Sequence, residues 1–495
     1  FKAKYVEDGL GSVSQALLGE TKIGGDIKEM TQYKLAHYCY NDSRLTYKLS
    51  SYNNNLVMNL LVIISRISNN SIDECSRYAI SHWILSLLYY THRQNNELIP
   101  KSDDFPQKDA STKSVGDKKY EGAIVLEPVA GVHFDVKVMD FASLYPSIIK
   151  VNNVSYETVN CSHAECEANK VPFTTHWICT KKTGIVSSVI GSLKELRVGH
   201  FKKLSKTAKT DDEKSRYETI SEALKVFLNA SYGVIGYETF PLYYLPTAEA
   251  VTAYGRNTIT ETVNTAKDFE MNVIYGDTDS IFLKSPTQEQ ISNLIAYAKQ
   301  AFNIDLEQDK TYRYVVLSNR RKNYFGIKSD GTVDIKGLTG KKSSTPPFIR
   351  ESFTRIMDRL KTVNNPSDFA LTSDFIRTEI RNLVDSFDTI PFEKLSFKVL
   401  VKEDPSEYKV KPAAVKAAEL LGKVTKGQFV EYIKVRGTKA GVKVKPVQLV
   451  QRKEIDKEKY MEILETTMSQ IVEPMDLDIE ELMGKGKQLK MGDFW

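Results

Sequence analysis

The sequence predicts an α+β protein of several domains, and three observations carry that reading. At 495 residues the chain is longer than a single hydrophobic core supports. Residues 55–100 have helical spacing, with Leu56, Leu60, Leu61 and Ile64 followed by Trp83, Leu85, Leu87 and Leu88. Elsewhere, β-branched apolar runs broken by Gly and Asp read as short paired strands. The clearest runs are Val273-Ile274 and Ile281-Phe282-Leu283, on either side of Tyr275-Gly276-Asp277-Thr278-Asp279-Ser280.

The remaining elements follow in chain order. Residues 101–119 are polar and rich in Lys and Asp, as a linker would be. Strand-like sequence occupies 122–149, interrupted by Pro128-Val129-Ala130-Gly131, and Asp140 ends a β-branched strand before a turn closing at Pro146. Two helices are expected at roughly 188–205 and 213–230. Their short polar connection, 207–212, makes an antiparallel hairpin that projects from the surface. A helix over 247–267 precedes the Asp-Thr-Asp hairpin, and beyond the Thr345-Pro346-Pro347 break helices alternate with loops.

Composition is that of an ordinary globular protein, 41% hydrophobic and 26% charged, and no apolar run reaches the ~18 residues of a membrane span. Phe1-Lys2-Ala3 does not read as a signal peptide, so an intracellular fragment or processed product is expected, with no membrane partner. A net charge of +5 is too small at this length to establish nucleic-acid binding, but its distribution is informative. From Lys398 to Lys445 twelve Lys and Arg stand against five acids. A basic region in a chain with an acidic metal site suits a polyanionic substrate; a solvated basic face is the plainer alternative.

The acids define the chemistry. Two carboxylates at the tip of an apolar hairpin are costly to bury without a cation, and Mg²⁺ suits one or two carboxylates plus phosphate oxygens. Asp140 is embedded in a similar strand upstream. Between them, Lys225, Asn229 and Tyr232 lie at i, i+4 and i+7, on one helix face, with Arg197, Lys202 and Lys203 earlier. Acid strand, basic helices and acid hairpin make a sensible order for phosphoryl transfer.

On these residues the chain resembles a family B DNA polymerase of the archaeal or eukaryotic replicative kind. Asp140-Phe141-Ala142-Ser143-Leu144-Tyr145-Pro146-Ser147-Ile148 is similar to motif A, Lys225 to Gly233 to motif B, and Tyr275 to Ser280 to motif C, in the family's order. Tyr120-Glu121-Gly122-Ala123 resembles the template-contact motif. Arg321-Lys322-Asn323-Tyr324 resembles the KKxY motif, with Lys336-Gly337 after it, and Asp404-Pro405-Ser406-Glu407-Tyr408-Lys409 resembles the thumb signature. The fold so implied is a right hand: an exonuclease remnant over 1–100, linker and palm over 101–186, fingers over 187–233, palm over 234–345, thumb over 346–480 and a tail over 481–495.

The resemblance implies nucleotidyl transfer from dNTPs onto primer-template DNA with two Mg²⁺ ions, Mn²⁺ serving as a substitute. Asp140 and Asp279 are the implied ligands and Asp277 a supporting carboxylate. Arg197, Lys225 and Asn229 would hold phosphates. Ser143 and Leu144 would line the nucleotide site, Tyr145 would exclude a 2′-hydroxyl, and Tyr232 would test the base pair. Tyr120, Gly122, Thr278, Arg321, Lys322, Tyr324 and Lys336 would contact DNA. Nuclear or nucleoid localisation follows according to source. A catalytically silent, clamp-tethered DNA-binding scaffold is the alternative reading.

Some positions depart from the pattern. Phe201 stands where the fingers' second cation is expected, leaving Lys202 or Lys203 to supply it. Tyr38 and Asp42 resemble the third exonuclease motif, yet no Asp-x-Glu pattern lies upstream of Asp42; those at 305–307 and 478–480, like the others in the chain, lie downstream of it. Self-contained proofreading is therefore not expected, the rest of that domain belonging to an upstream segment or a separate chain. Cys161-x-His163-x-x-Cys166 followed by His176-x-x-Cys179 has tolerable zinc spacing. With Cys161, Cys166, His176 and Cys179 as candidates, zinc, a disulfide and unlinked thiols all stay open. Finally, Gln488, Met491, Phe494 and Trp495 resemble the peptide that binds a PCNA-like sliding clamp; a frayed end docking on its own thumb is the alternative.

Overall fold

The computed structural model describes residues 9–23, 27, 30–105, 120–342, 344–401, 403, 405–422, 429–437 and 443–484. The chain forms two compact units. One comprises Phe1–Ile124, Phe141–Thr262 and Ile295–Leu306, the other Val125–Asp140, Val263–Leu294 and Glu307–Trp495. Helices and antiparallel sheets together make it α+β, as expected.

The first unit is helical. It contains α1 (Leu10–Leu18), α2 (Gln32–Ser50), α3 (Tyr52–Ser68), α4 (Ile72–Arg77) and α5 (Ile80–Gln94). Further along are α6 (Leu144–Val151), α7 (Ile185–Lys194), α8 (Lys202–Thr207) and α9 (Asp211–Ile235), then most of α10 (Leu245–Asp268) and the second half of α11 (Gln288–Phe302). The predicted hairpin of helices is present, though its first arm is not uniform. Between α7 and α8 the turn Glu195–Phe201 is π-helical, a form that commonly marks functional sites. The start of α9 is set by Thr210, whose side chain accepts the Glu213 N–H, and by acids at 211–213 that complement the helix dipole. Its buried positions, Leu224, Phe227, Leu228 and Ser231, leave Lys225 and Asn229 exposed on the opposite face.

Expectation and structure part at 122–149. Only Gly131–Phe141 is a strand (β1), and Pro146 lies in the first turn of α6 instead of closing a turn. Proline is tolerated there because a first-turn N–H has no intrahelical acceptor.

The second unit is built on a six-stranded sheet in the order β2-β3-β1-β4-β5-β6. Its members beyond β1 are β2 (Asn272–Asp277), β3 (Ser280–Lys284), β4 (Leu306–Leu317), β5 (Tyr324–Lys328) and β6 (Val333–Lys336). One face buries Val136, Val138, Ile274, Tyr275, Phe282 and Tyr324; Tyr314, Val316, Phe325 and Ile327 belong to a second core that continues through the C-terminal region. That region holds α12 (Pro347–Leu360), α13 (Asp368–Asp385), α14 (Phe392–Leu395), α15 (Ala413–Glu419), α16 (Lys457–Val472) and α17 (Ile479–Leu482). It also contains a sheet not expected from the sequence, β7 (Phe397–Leu400), β8 (Phe429–Lys434) and β9 (Val444–Pro446), all antiparallel. These strands are short and Lys-rich, so their alternation is weak. Among the described residues, no helix is long and apolar enough to cross a membrane.

Tyr460 on α16 ties this second core together. Its fully buried hydroxyl donates to the Leu395 carbonyl at 2.7 Å and accepts the Lys434 N–H at 3.3 Å, while its ring packs on Phe348, Phe387 and Phe397. Tyr460→Phe keeps the packing but strands both backbone groups. We expect a loss of about 1–3 kcal/mol, read as faster hydrogen exchange of the α16 amides.

Candidate active site

Three acidic residues flank the first residue of β3. Antiparallel pairing places Asp140 of β1 across from Ser280 on one side and Asp277 of β2 across from the same Ser280 on the other. Asp279 sits in the two-residue turn just before it. That turn is tight: the Asp279 N–H donates to the Asp277 carbonyl at 2.5 Å, and Thr278 adopts a positive φ of 49°. At Gly276 a Cβ would come within 2.8 Å of Leu126, whose backbone N–H donates to the Gly276 carbonyl at 2.9 Å. The hairpin is thus pressed against the 125–129 segment with no room for a side chain there.

Electrostatics separate the three acids. Burial above all, then repulsion from Asp279 and Asp309, pushes the Asp140 carboxyl up to about 7, with Lys310 opposing and Glu307 adding to the rise. Burial also raises Asp279, followed by repulsion from Asp277. Asp277 has a cation of its own: Lys322 Nζ stands 3.0 Å from Oδ1, which also accepts the Thr278 hydroxyl at 3.1 Å. Lys310 is engaged by Asp334 at 2.8 Å. Asp140 and Asp279 are therefore the half-buried pair without a salt-bridge partner of their own among the described residues. Their all-oxygen donor set fits a hard divalent ion.

The basic residues that the resemblance assigns to DNA contact lie near the hairpin. The Lys322 N–H donates to the Tyr275 hydroxyl at 2.9 Å, and Arg321 pairs with Glu127 at 2.6 Å. Tyr324 is buried, its ring edge-on to Phe282 at 5.4 Å and to Tyr275 at 6.0 Å. Across β5 and β6 it pairs with Lys336, whose charge acts on Asp279. Gly337, at φ 71°, lies so close to the Lys322 carbonyl that a Cβ would collide with it.

In the first unit, three predicted tyrosines meet. The Tyr120 and Tyr232 hydroxyls are 2.9 Å apart, and the Tyr145 and Tyr232 rings lie 4.5 Å apart at 46°. Burial raises the phenols of Tyr120 and Tyr232, favouring their neutral forms. Gly255 faces Tyr145, where a Cβ would lie 3.0 Å from the ring. Ser143 stands just before α6 at φ 51°, its side chain making no cap hydrogen bond, and the adjoining Leu144 is buried. Arg256 is a residue that sequence reasoning missed. Buried on α10, it donates to the carbonyls of Glu121 at 2.7 Å and Gly122 at 2.9 Å, fixing the backbone of the Tyr120 motif. No local pattern in α10 signals that role.

The other candidates fall as follows. Lys225 pairs with Glu222 at 3.6 Å, and Arg197 lies in the π-helical turn with its Nε buried and unpartnered. Phe201 packs against His200 and Tyr217, while Lys202 and Lys203 are exposed. Asp42 pairs with Lys22 at 2.8 Å, and the same ammonium lies over the Tyr38 ring. In the basic stretch, Lys411 and Lys445 are paired with Glu419 and Glu454, while Lys402, Asp404, Lys423, Lys426 and Lys439 lie outside the described residues. So do the clamp-like residues Gln488, Met491, Phe494 and Trp495.

The cysteine set needs one correction. Cys161, Cys166 and Cys179 come together, but the histidine that joins them is His163. His176 is committed elsewhere: Asn160 lies 3.1 Å from its Nδ1, and its Nε2 is 2.8 Å from the fully buried Glu249 carboxylate.

The sequence profile of DNA polymerase family B matches residues 72–475. The chain belongs to DNA polymerase family B. It is 39% identical to DNA polymerase 1 of Sulfolobus acidocaldarius, over 98% of this chain and 57% of that protein. It is 38% identical to DNA polymerase 1 of Aeropyrum pernix, over 98% and 52%. The structure of the family B DNA polymerase from Pyrobaculum calidifontis shares the fold, with a TM-score of 0.67 and 24% identity over 96% of this chain and 62% of that one. The chain spans about half the length of the curated relatives it matches.

A pH dependence follows from Asp140. The folded carboxyl keeps its proton up to about 7, whereas the unfolded one releases it near 3.8, so the folded state binds more protons between those values. Stability of the metal-free family B chain should therefore fall as pH rises through that window. Mg²⁺ added at pH 8 should raise the melting temperature, and Asp140→Asn should flatten both responses. A melting temperature insensitive to both would contradict this electrostatic account.

Proposed function

We propose that this chain is the catalytic core of a template-directed DNA polymerase that extends a primer 3′ end with deoxynucleotides. The observation that supports it most is the sheet register that sets Asp140 and Asp277 on either side of Ser280, with Asp140 and Asp279 left in need of cations. The proteins it is similar to are named as DNA polymerases.

In this reading Val125–Asp140 and the hairpin belong to the palm, 187–233 to the fingers and 346–480 to the thumb, with residues 1–100 an exonuclease remnant. Asp140 and Asp279 would hold the two Mg²⁺ ions. When bound, that pair supplies charge that acidifies the primer 3′-hydroxyl and offsets the triphosphate. Asp277, neutralised by Lys322, keeps the turn in shape and leaves ligation to its neighbours. Arg197, Lys225 and Asn229 hold the triphosphate, with Lys202 or Lys203 as the further cation. Tyr145, wedged by Tyr232 and Gly255, blocks a 2′-hydroxyl, and Tyr232 walls the nascent base pair. Arg321, Lys322 and Lys336 carry the DNA backbone contacts, and the buried Tyr324 steadies them. The C-terminal peptide engages a sliding clamp.

Primer extension tests this directly. The intact chain with Mg²⁺ and dNTPs should incorporate nucleotides, whereas Asp279→Ala should not while still binding duplex. Failure of the intact chain to extend a primer would favour the silent scaffold instead. Lys225→Ala should lower kcat/KM for dNTPs about 10²–10³-fold, by analogy with removing one donor from a developing anion. Tyr145→Val should raise ribonucleotide incorporation relative to deoxynucleotide. A labelled primer without dNTPs should not shorten.

A further inference from the structure

The geometry points to a structural zinc site between α6 and α7, with Cys161, His163, Cys166 and Cys179 as its four ligands. Their ligand atoms all lie within 4.8 Å of one another, and Cys179 Sγ is 3.4 Å from His163 Nδ1. Tetrahedral zinc has Zn–S of about 2.3 Å and Zn–N of about 2.0 Å, which puts ligand atoms roughly 3.5–3.8 Å apart. The four groups need only close slightly around an ion. A disulfide would use two sulfurs and leave a third thiol and an imidazole gathered for no purpose. An iron–sulfur cluster would place iron and sulfide between the cysteines and spread them more widely.

Two of the sulfurs also accept hydrogen bonds that suit a thiolate. The Thr180 N–H donates to Cys166 Sγ at 3.3 Å, with the Thr180 hydroxyl at 3.4 Å, and the Lys181 N–H donates to Cys179 Sγ at 3.4 Å. Such outer hydrogen bonds orient thiolate ligands and temper their charge. On binding, the thiols give up their protons to solvent as zinc takes their place.

The segment has need of such a tie. Among its described elements are a five-residue 3-10 turn, Ala164–Ala168, and the isolated bridges Val159↔Ile178 and Lys170↔Trp177, with no strand or α-helix. Connections this long in a compact domain usually require something to hold them. Trp177 Nε1–H, donating to the Cys161 carbonyl at 3.0 Å, brings the two ligand-bearing ends together.

What the tie would hold is the start of α7. Asn153 Oδ1 accepts the Gly184 N–H at 2.7 Å, the Glu157 carboxylate accepts the Ile185 N–H, and Ser155 Oγ accepts the Val186 N–H at 3.1 Å. The segment thereby satisfies first-turn donors that have no partner within the helix. Its fold sets where α7 begins, and α7 leads into the turn bearing Arg197. The zinc is a positioning element, and the inference does not depend on the polymerase reading.

Elemental analysis of the purified full chain, dialysed against EDTA, should find about one zinc ion per chain. Cys166→Ser and His163→Ala should each lose most of it, while Cys39→Ser and Cys75→Ser keep it. Where a variant fails to fold, the unaltered chain still decides. Stripped of metal under reducing conditions and titrated with Co²⁺, it should develop thiolate-to-cobalt absorption and the visible bands of tetrahedral cobalt. Hydrogen exchange over 152–190 should quicken on metal removal and slow again with Zn²⁺. A chain with no bound metal and no cobalt spectrum overturns the proposal, as does one in which two of these cysteines are found disulfide-linked.

Discussion

Two half-buried carboxylates, each crowded by other acids, set the terms for the second unit. Neither Asp140 nor Asp279 would stay in an apolar sheet on its own account, since burial pushes both toward the acid form and neighbouring acids add to it, Asp279 and Asp309 for Asp140 and Asp277 for Asp279. What holds them is backbone pairing and packing: the β1–β3 register, a two-residue turn, and the core of Tyr275, Phe282 and Tyr324. The sheet stores an electrostatic deficit that a cation can settle. Two of its lysines are committed nearby, Lys322 to Asp277 and Lys310 to Asp334, which leaves Lys336 as a further charge acting on Asp279.

The first unit solves a different problem, that of holding aromatic surfaces still. Tyr120, Tyr145 and Tyr232 restrain one another through a hydroxyl pair and a ring contact, and glycines behind them leave the space they occupy. Arg256 supports this from below by grasping two consecutive carbonyls. A planar cation with several donors can do so while also reaching the Glu121 carboxylate at 3.5 Å and the Thr252 hydroxyl at 3.4 Å.

How far the sequence could be read depended on distance along the chain. The hairpin and the amphipathic α9 were legible because turn residues and helical spacing are local signals. Lys225 and Asn229 were placed on one exposed face for the same reason. The pairing of Lys322 with Asp277 was not legible, since it rests on strands brought side by side by the sheet. Choosing His163 over His176 also needed the fold, because only burial of Glu249 shows that His176 is already occupied. The sheet of β7, β8 and β9 was missed because its Lys-rich strands bury too little to alternate clearly. Pro146 misled for the opposite reason: a residue that usually ends helices was sitting where a helix begins.

Gly337 carries a consequence for anyone wishing to move this site. Lys322 can face Asp277 only because the chain at Gly337, lacking a side chain and turning left-handed, lets the Lys322 carbonyl pass. The six residues of the hairpin therefore do not constitute a portable module. Grafted onto another scaffold without β5, β6 and that glycine, they would arrive with a bare third charge in their turn. The smallest transferable unit is the sheet itself.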